Sequence, residues 1–314
     1  MTSQELLVRL QELNKEPLPV PGRGQTATRH KRLMEIGRES LSLARLAEAH
    51  FDALAILEEA GRTPDSNAIY GVWASEIKGQ PLQIVGEGEG SCIVGAKMFC
   101  TGAGIIDRAL ITVGQANPLL IDVNLAAFSE KLDIDLSDWL VGAFQQTRTA
   151  TVRFLKLQFE PEDVVGDPGW YLRRPGFWHG ACGPASCWAG GALGLYDYAI
   201  SQVRSDPHTL AHLGGLKASV WALQTYLTAS GDEIDSDPLD CRRAHIRALT
   251  VRHLVEQECT EILQRLGRAY GPYPLAMERS VSERYQELQL YLRQCHAERD
   301  LESLGEEIRK SDRL

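Results

Sequence analysis

The sequence predicts an α+β multidomain protein with N-terminal helices, a central antiparallel β-sandwich or barrel, and a C-terminal four-helix bundle. Three observations carry this reading. Leucines recur at helical spacing on both flanks of the chain. Between the flanks, short apolar runs separated by Gly, Pro, Asn and Asp give the texture of a sandwich rather than of alternating strand and helix units. After Gly166-Asp167-Pro168-Gly169 the helical periodicity returns in four long stretches with short connections, which favours an up-and-down bundle. The predicted divisions are residues 1–66, 67–167 and 168–314.

In order, residues 1–16 carry Leu6, Leu7, Leu10 and Leu13 on a helical repeat that Pro17, Pro19 and Pro21 interrupt. From about Thr28 to Gly61 come two or more further helices, with Leu33, Ile36, Leu41, Phe51 and Leu54 among their apolar positions. A helical piece this short, with few aromatic anchors, is expected to pack on the segments C-terminal to it. Strands are predicted at 69–73, 82–85, 91–94, 109–113, 119–122, 144–147 and 151–157. The bundle helices are predicted over 181–203, 210–230, 239–270 and 282–309, the first rich in Gly and Ala and so able to approach a neighbour closely.

The chain has 314 residues, 44% hydrophobic and 24% charged, enough to bury a substantial core and ordinary for a globular protein. A formal charge of −9 argues against a general nucleic-acid or anionic-membrane surface. No long apolar span is present and the first 16 residues lack a signal-peptide core, so a cytoplasmic location without membrane association is expected. The seven cysteines form no C-x-x-C pair, which points to reduced core thiols rather than disulfides or a zinc site.

The stretch most suggestive of chemistry is Lys97-Met98-Phe99-Cys100-Thr101-Gly102-Ala103-Gly104. Here Phe99 offers a stacking face, Thr101 a hydroxyl, and Gly102 and Gly104 either room for a flat ligand or simply the dihedrals of a turn. Gly86-Glu87-Gly88-Glu89-Gly90 is read as a turn, since two glutamates would repel a phosphate. His208 and His212 share a helix face, but no glutamate follows the first histidine as a zinc-protease helix requires; they read as a surface pair, and no metal site is predicted. Arg204, at a helix end, can pair with a phosphate or be satisfied by its own helix's last carbonyls. Glu287 and His296, on one helical stretch, could supply a general base or be structural.

These strings and the order of domains together resemble the acyl-CoA dehydrogenase family of flavoproteins. Gly95-Ala96-Lys97-Met98-Phe99-Cys100-Thr101 is similar to the family's G-x-K-x-[WF]-I-T segment, whose aromatic and threonine border the isoalloxazine ring; the resemblance puts those roles on Phe99 and Thr101. Trp73-Ala74-Ser75-Glu76 resembles the T-E-P flavin strand, with Ser75 in place of threonine, and brings Trp73 and Ser75 into the predicted cofactor site. Arg204 matches the arginine that reaches the FAD pyrophosphate of a neighbouring subunit, and Gly267 to Gly271 falls where a glycine-rich helix end meets FAD across the dimer. The resemblance therefore implies an FAD-dependent α,β-dehydrogenation of an acyl thioester, carried by CoA or a carrier protein, in a homodimer or homotetramer.

The sequence departs from that pattern in several places. The loop after Glu76 is short, Pro207-His208 replaces a Phe-Gly pair, and the N-terminal helical portion is reduced. No E-G-T segment supplies the family's glutamate. Tyr291-Leu292-Arg293-Gln294-Cys295-His296 stands there instead, closer to the histidine-bearing flavin monooxygenases of the same fold, in which His296 would assist oxygen chemistry. A third reading is a family member that keeps the scaffold as a binding or assembly subunit.

Overall fold

The computed structural model describes residues 1–75, 81–86 and 90–311. The chain divides into two compact units, one built from 1–17 and 45–177, the other from 18–44 and 178–314.

The first unit opens with α1 (Ser3–Asn14), started by a capping box in which the Glu5 amide donates to Thr2 Oγ1 at 3.2 Å and the Thr2 amide donates to Glu5 Oε2 at 2.8 Å. Its buried face is Leu6 and Leu10. Most of α3 (Leu41–Glu59) also lies here, and Ala53, Ile56 and Leu57 enter a cluster with Tyr70, Leu110, Leu120, Val165 and Tyr171. That cluster ties a helix of modest amphipathicity to the sheets, as the shortage of anchors elsewhere in the N-terminal region requires.

Two sheets form the β portion. One runs in the order β1 (Tyr70–Trp73), β4 (Arg108–Val113), β5 (Leu119–Asn124). The other runs β2 (Gln83–Val85), β3 (Cys92–Cys100), β7 (Ala150–Gln158), β6 (Leu132–Asp135). Among the described residues every strand pairing is antiparallel except β1 with β4, which is parallel with Tyr70 opposite Arg108. The exception has a topological cause: the chain leaves β1, builds two strands of the other sheet and returns, and such a crossover delivers a strand in the original direction. Residues 109–113 of β4 are all buried, which explains why all but Thr112 are apolar.

The strand expected at 144–147 does not form. Phe144 and Arg148 take left-handed backbone angles, φ 61° and 46°, around a short 3-10 turn at Gln145–Thr147. Thr147 Oγ1 donates to the Phe144 carbonyl at 2.8 Å, so a local bond replaces a ladder bond. β6 escaped the sequence reading because Leu132-Asp133-Ile134-Asp135 carries two charges in four residues.

The second unit holds α2 (Thr26–Glu39) and the long helices α6 (Cys182–Ser201), α7 (Pro207–Ser236) and α8 (Cys241–Tyr270). The close approach that the Gly and Ala content of α6 permits is made to α2. A β-carbon on Gly190 would lie 2.2 Å from the Met34 carbonyl oxygen, and one on Gly37 would lie 2.5 Å from that of Cys187. On α7, Gly231 is likewise pressed against Ala27. The predicted fourth helix is two: α10 (Arg279–Tyr291) stops, a 3-10 turn and Ala297 with φ 52° redirect the chain, and α11 (Glu298–Ser311) comes next. Short helices α4 (Trp170–Arg173), α5 (Pro175–Gly180) and α9 (Tyr273–Met277) make connections. None of the seven cysteines is in a disulfide. Among the described residues no helix is long and apolar enough to cross a membrane.

Each unit buries histidine as a structural hydrogen-bonding group. In the first, His50 Nδ1 accepts from the Tyr70 amide at 3.1 Å, so its Nε2 carries the proton toward Asn14 Oδ1 at 2.9 Å. In the second, His30 Nδ1 lies 2.9 Å from the Leu227 carbonyl. Burial pulls both from 6.5 down to about 4. As pH falls the unfolded chain therefore binds protons first, and stability is lost between about pH 6.5 and 4. Urea unfolding is expected to show a loss of about 2 kcal/mol per histidine from pH 7 to 5, and His50→Gln to flatten that dependence.

Candidate functional site

The stretch singled out in the sequence is the irregular end of a strand. Between Lys97 and Cys100 the register of β3 against β7 shifts, and Phe99 adopts φ 60°. The shift sends side chains to opposite sides: Lys97 and Cys100 are fully buried, whereas the Phe99 ring is 57% exposed. Phe99 meets Trp139 edge to face at 6.4 Å, beside the exposed Leu140 and Val141.

Several bonds hold this irregularity. Lys97 Nζ donates to the Ser75 carbonyl at 2.9 Å and to Thr112 Oγ1 at 3.1 Å, joining β3 to the exit of β1 and to β4. Trp73 is buried, and its Nε1 donates to the Thr101 carbonyl at 3.0 Å. Ser75 Oγ donates to the Met98 carbonyl. Four predicted cofactor residues, Trp73, Ser75, Phe99 and Thr101, thus converge on one segment. Trp73 and Ser75 engage backbone carbonyls, while Phe99 and Thr101 keep surface for a ligand. Glu76 and the loop to Gln80 lie outside the described residues, as do Glu87 to Glu89.

Gly102 and Gly104 are turn glycines, with φ 84° and 77°, and not openings toward a ligand. A β-carbon on Gly102 would strike Ile106 Cγ2 at 2.7 Å, and Gly104 faces Arg148 at 3.4 Å. Cys100 is no nucleophile, since burial pushes its thiol up to about 12.

The sequence reading missed Arg45, Thr147 and Thr149. Arg45, from α3, is buried and donates through Nε to Thr101 Oγ1 at 3.2 Å. Its guanidinium lies over the rings of Phe144 at 4.8 Å and Trp139 at 5.3 Å. Thr101 Oγ1 is also 3.2 Å from Thr149 Oγ1, which is 3.0 Å from Thr147 Oγ1. An arginine at helical spacing in α3 could have been suspected only by knowing which strand it faced.

In the second unit, Arg204 and the glycines gather at the C-terminal end of α8. Arg204 Nη1 donates to the Ala269 carbonyl at 3.3 Å, and its guanidinium lies 5.5 Å from the Tyr270 ring centre. The carbonyl it takes belongs to the end of α8 and not to its own helix, as the alternative had expected, and it occupies one of five donors. Gly271 ends α8 with φ 67°, its amide donating to the Gly267 carbonyl at 3.0 Å. A β-carbon on Gly271 would meet nothing within 4 Å, so there is space beside this residue.

The two candidate bases have separate partners. Glu287, on α10, accepts from Ser42 Oγ at 2.5 Å. His296 is exposed, with Nδ1 3.2 Å from Asp300 Oδ1 and its amide donating to Asp300 Oδ2 at 3.1 Å. An aspartate on Nδ1 orients the ring and turns Nε2 outward. His208 and His212 stack edge to face at 4.6 Å, and among the described residues no cluster of three or more His, Cys, Asp or Glu is arranged to hold a metal ion.

No family profile and no curated protein matches this sequence. Solved structures do match its fold. Dibenzothiophene monooxygenase TdsC from Paenibacillus sp. A11-2 superposes with a TM-score of 0.74 at 14% identity over 96% of this chain and 94% of its own. Nitrososynthase from Micromonospora carbonacea var. africana gives 0.74 at 15% identity over 90% and 83%. XiaF from Streptomyces sp., solved with FADH2 and glycerol, gives 0.73 at 14% identity over 90% and 81%. TdsC has also been solved with FMN. The chain has the fold of the flavin-dependent proteins of acyl-CoA dehydrogenase type. It is similar in particular to members of that fold that include a monooxygenase and a nitrososynthase.

The residues present suit a flavin: an outward aromatic ring beside a half-buried hydroxyl, on a strand end braced from three sides. Replacing the buried ammonium tests the bracing. Lys97→Met leaves the Ser75 carbonyl and the Thr112 hydroxyl without their donor and is expected to lower stability by about 2–3 kcal/mol, read as a lower urea midpoint at unchanged slope.

Proposed function

We propose that this protein is a flavin-dependent oxidoreductase acting on a small organic molecule, of the oxygenating kind. The observation that carries the reading is the Phe99–Thr101 strand end, with an exposed ring next to a hydroxyl held by Arg45. When bound, the flavin supplies the redox chemistry, and the chain supplies binding, orientation and electrostatics. Phe99 would lie against the ring system and Thr101 would bond its edge. Trp73 and Ser75 fix the Thr101 and Met98 carbonyls and so set the strand end on which both sit.

Oxygenation is preferred to acyl-thioester dehydrogenation because of the candidate bases. Glu287 is engaged by the Ser42 hydroxyl, whereas His296 is exposed and oriented by Asp300 with Nε2 available to hold or move a proton. The flavin-bound structures of TdsC and XiaF, and the monooxygenase and nitrososynthase among the similar folds, support the same choice. Dehydrogenation of an acyl thioester of CoA or a carrier protein remains the second reading, favoured by the family's G-x-K-x-[WF]-x-T pattern at 95–101. FAD is the proposed cofactor. Arg204 and the helix end from Gly267 to Gly271 would meet its pyrophosphate from a partner subunit of a cytoplasmic homodimer or homotetramer.

Purified protein is expected to bind flavin and to show flavin absorbance; a colourless protein that cannot be reconstituted leaves the scaffold reading. Bleaching by acyl-CoA without oxygen would indicate dehydrogenation, and bleaching only by an external reductant would indicate oxygenation. Thr101→Val is expected to weaken the binding of reduced flavin several-fold or to shift the spectrum of the bound flavin. Arg204→Ala should weaken FAD by about tenfold while leaving FMN, which lacks the pyrophosphate, little changed in a titration of both.

A further inference from the structure

The direction of each hydrogen bond around Thr101 is determined by the groups at the two ends of a series. Arg45 Nε is 3.2 Å from Thr101 Oγ1, which is 3.2 Å from Thr149 Oγ1. Thr149 Oγ1 is 3.0 Å from Thr147 Oγ1, which is 2.8 Å from the Phe144 carbonyl oxygen. A guanidinium can only donate and a carbonyl can only accept, while each hydroxyl between them has a single proton. Thr147 must give its proton to the Phe144 carbonyl. Thr149 must then donate to Thr147, and Thr101 must donate to Thr149. Thr101 accepts from Arg45 and is left with one unused lone pair and no proton.

We infer that Thr101 meets its ligand as a hydrogen-bond acceptor only, and that Arg45, Thr147 and Thr149 are positioning residues that enforce this and make the site select reduced flavin. The selection rests on the flavin reading proposed above. With flavin N5 against Thr101, where the proposed contact with the ring edge would put it, the oxidised ring presents an acceptor there, whereas two-electron reduction places a hydrogen on N5 and turns it into a donor. Against the Thr101 lone pair the reduced ring gains a bond and the oxidised ring sets two acceptors face to face. The residues that decide between the two states therefore include three that need not touch the cofactor.

The test is anaerobic titration of the full-length protein with FAD in each redox state, oxidised and dithionite-reduced, together with the midpoint potential of the bound flavin. The wild-type protein is expected to bind reduced FAD at least tenfold more tightly, equivalent to a potential about 30 mV above that of the free cofactor. Thr149→Val keeps the shape of a buried side chain but removes the acceptor of the Thr101 proton, which can then turn to the ligand. It should tighten oxidised FAD and reduce the preference by about tenfold. Thr147→Val releases the same proton one step further along and should do likewise, and a urea midpoint confirms that each variant is folded. A purely structural role for these threonines would move the urea midpoint and leave the ratio of affinities alone. Equal affinities in the wild type, or a ratio that neither substitution moves, would overturn the inference while leaving the flavin reading in place. Binding of neither form would overturn both.

Discussion

The left-handed backbone at Phe99 is the constraint on which the rest of the candidate site depends. A non-glycine residue in that region costs on the order of 1–3 kcal/mol and persists only where its surroundings over-determine it. Here the surroundings do so from both faces of the strand end. Lys97 is held beneath by Ser75 and Thr112, the Thr101 carbonyl is taken by Trp73, and Arg45 reaches the Thr101 hydroxyl from α3. The result is an aromatic side chain placed outward where a regular strand would have continued the alternation.

Much of the architecture was legible because it is local. The leucine spacing of α1, the long repeat of α8 and the apolar run of β4 each contain their own signal, and the G-x-K-x-F-x-T pattern located the irregular strand end before its geometry was known. What could not be read depends on partners distant in sequence. Arg45 and Thr101 are 56 residues apart, and nothing in the periodicity of α3 marks that arginine from its neighbours. Gly37 needs to be glycine only because Cys187 and Gly190 of α6 come against it. At 144–147 the β-like composition was overruled by a side-chain bond that closes a turn.

The second unit uses small residues in another way. Gly190 and Gly231 remove side chains so that α2 can lie against α6 and α7, and this close approach brings a helix from early in the chain among helices from its second half. At the far end of α8 the glycines mark the helix terminus instead, where Arg204 takes the Ala269 carbonyl and space is left beside Gly271. One residue type thus does two jobs, and only the atoms opposite each position tell them apart.

The distribution of the cysteines bears on handling the protein in air. Cys100, Cys182, Cys187 and Cys259 are enclosed, and burial raises the thiols of Cys100, Cys182 and Cys259 away from the reactive thiolate form. Cys241, at the start of α8, is exposed. A maleimide dye should therefore attach there ahead of the enclosed thiols, giving a spectroscopic reporter on the second unit without engineering the sequence.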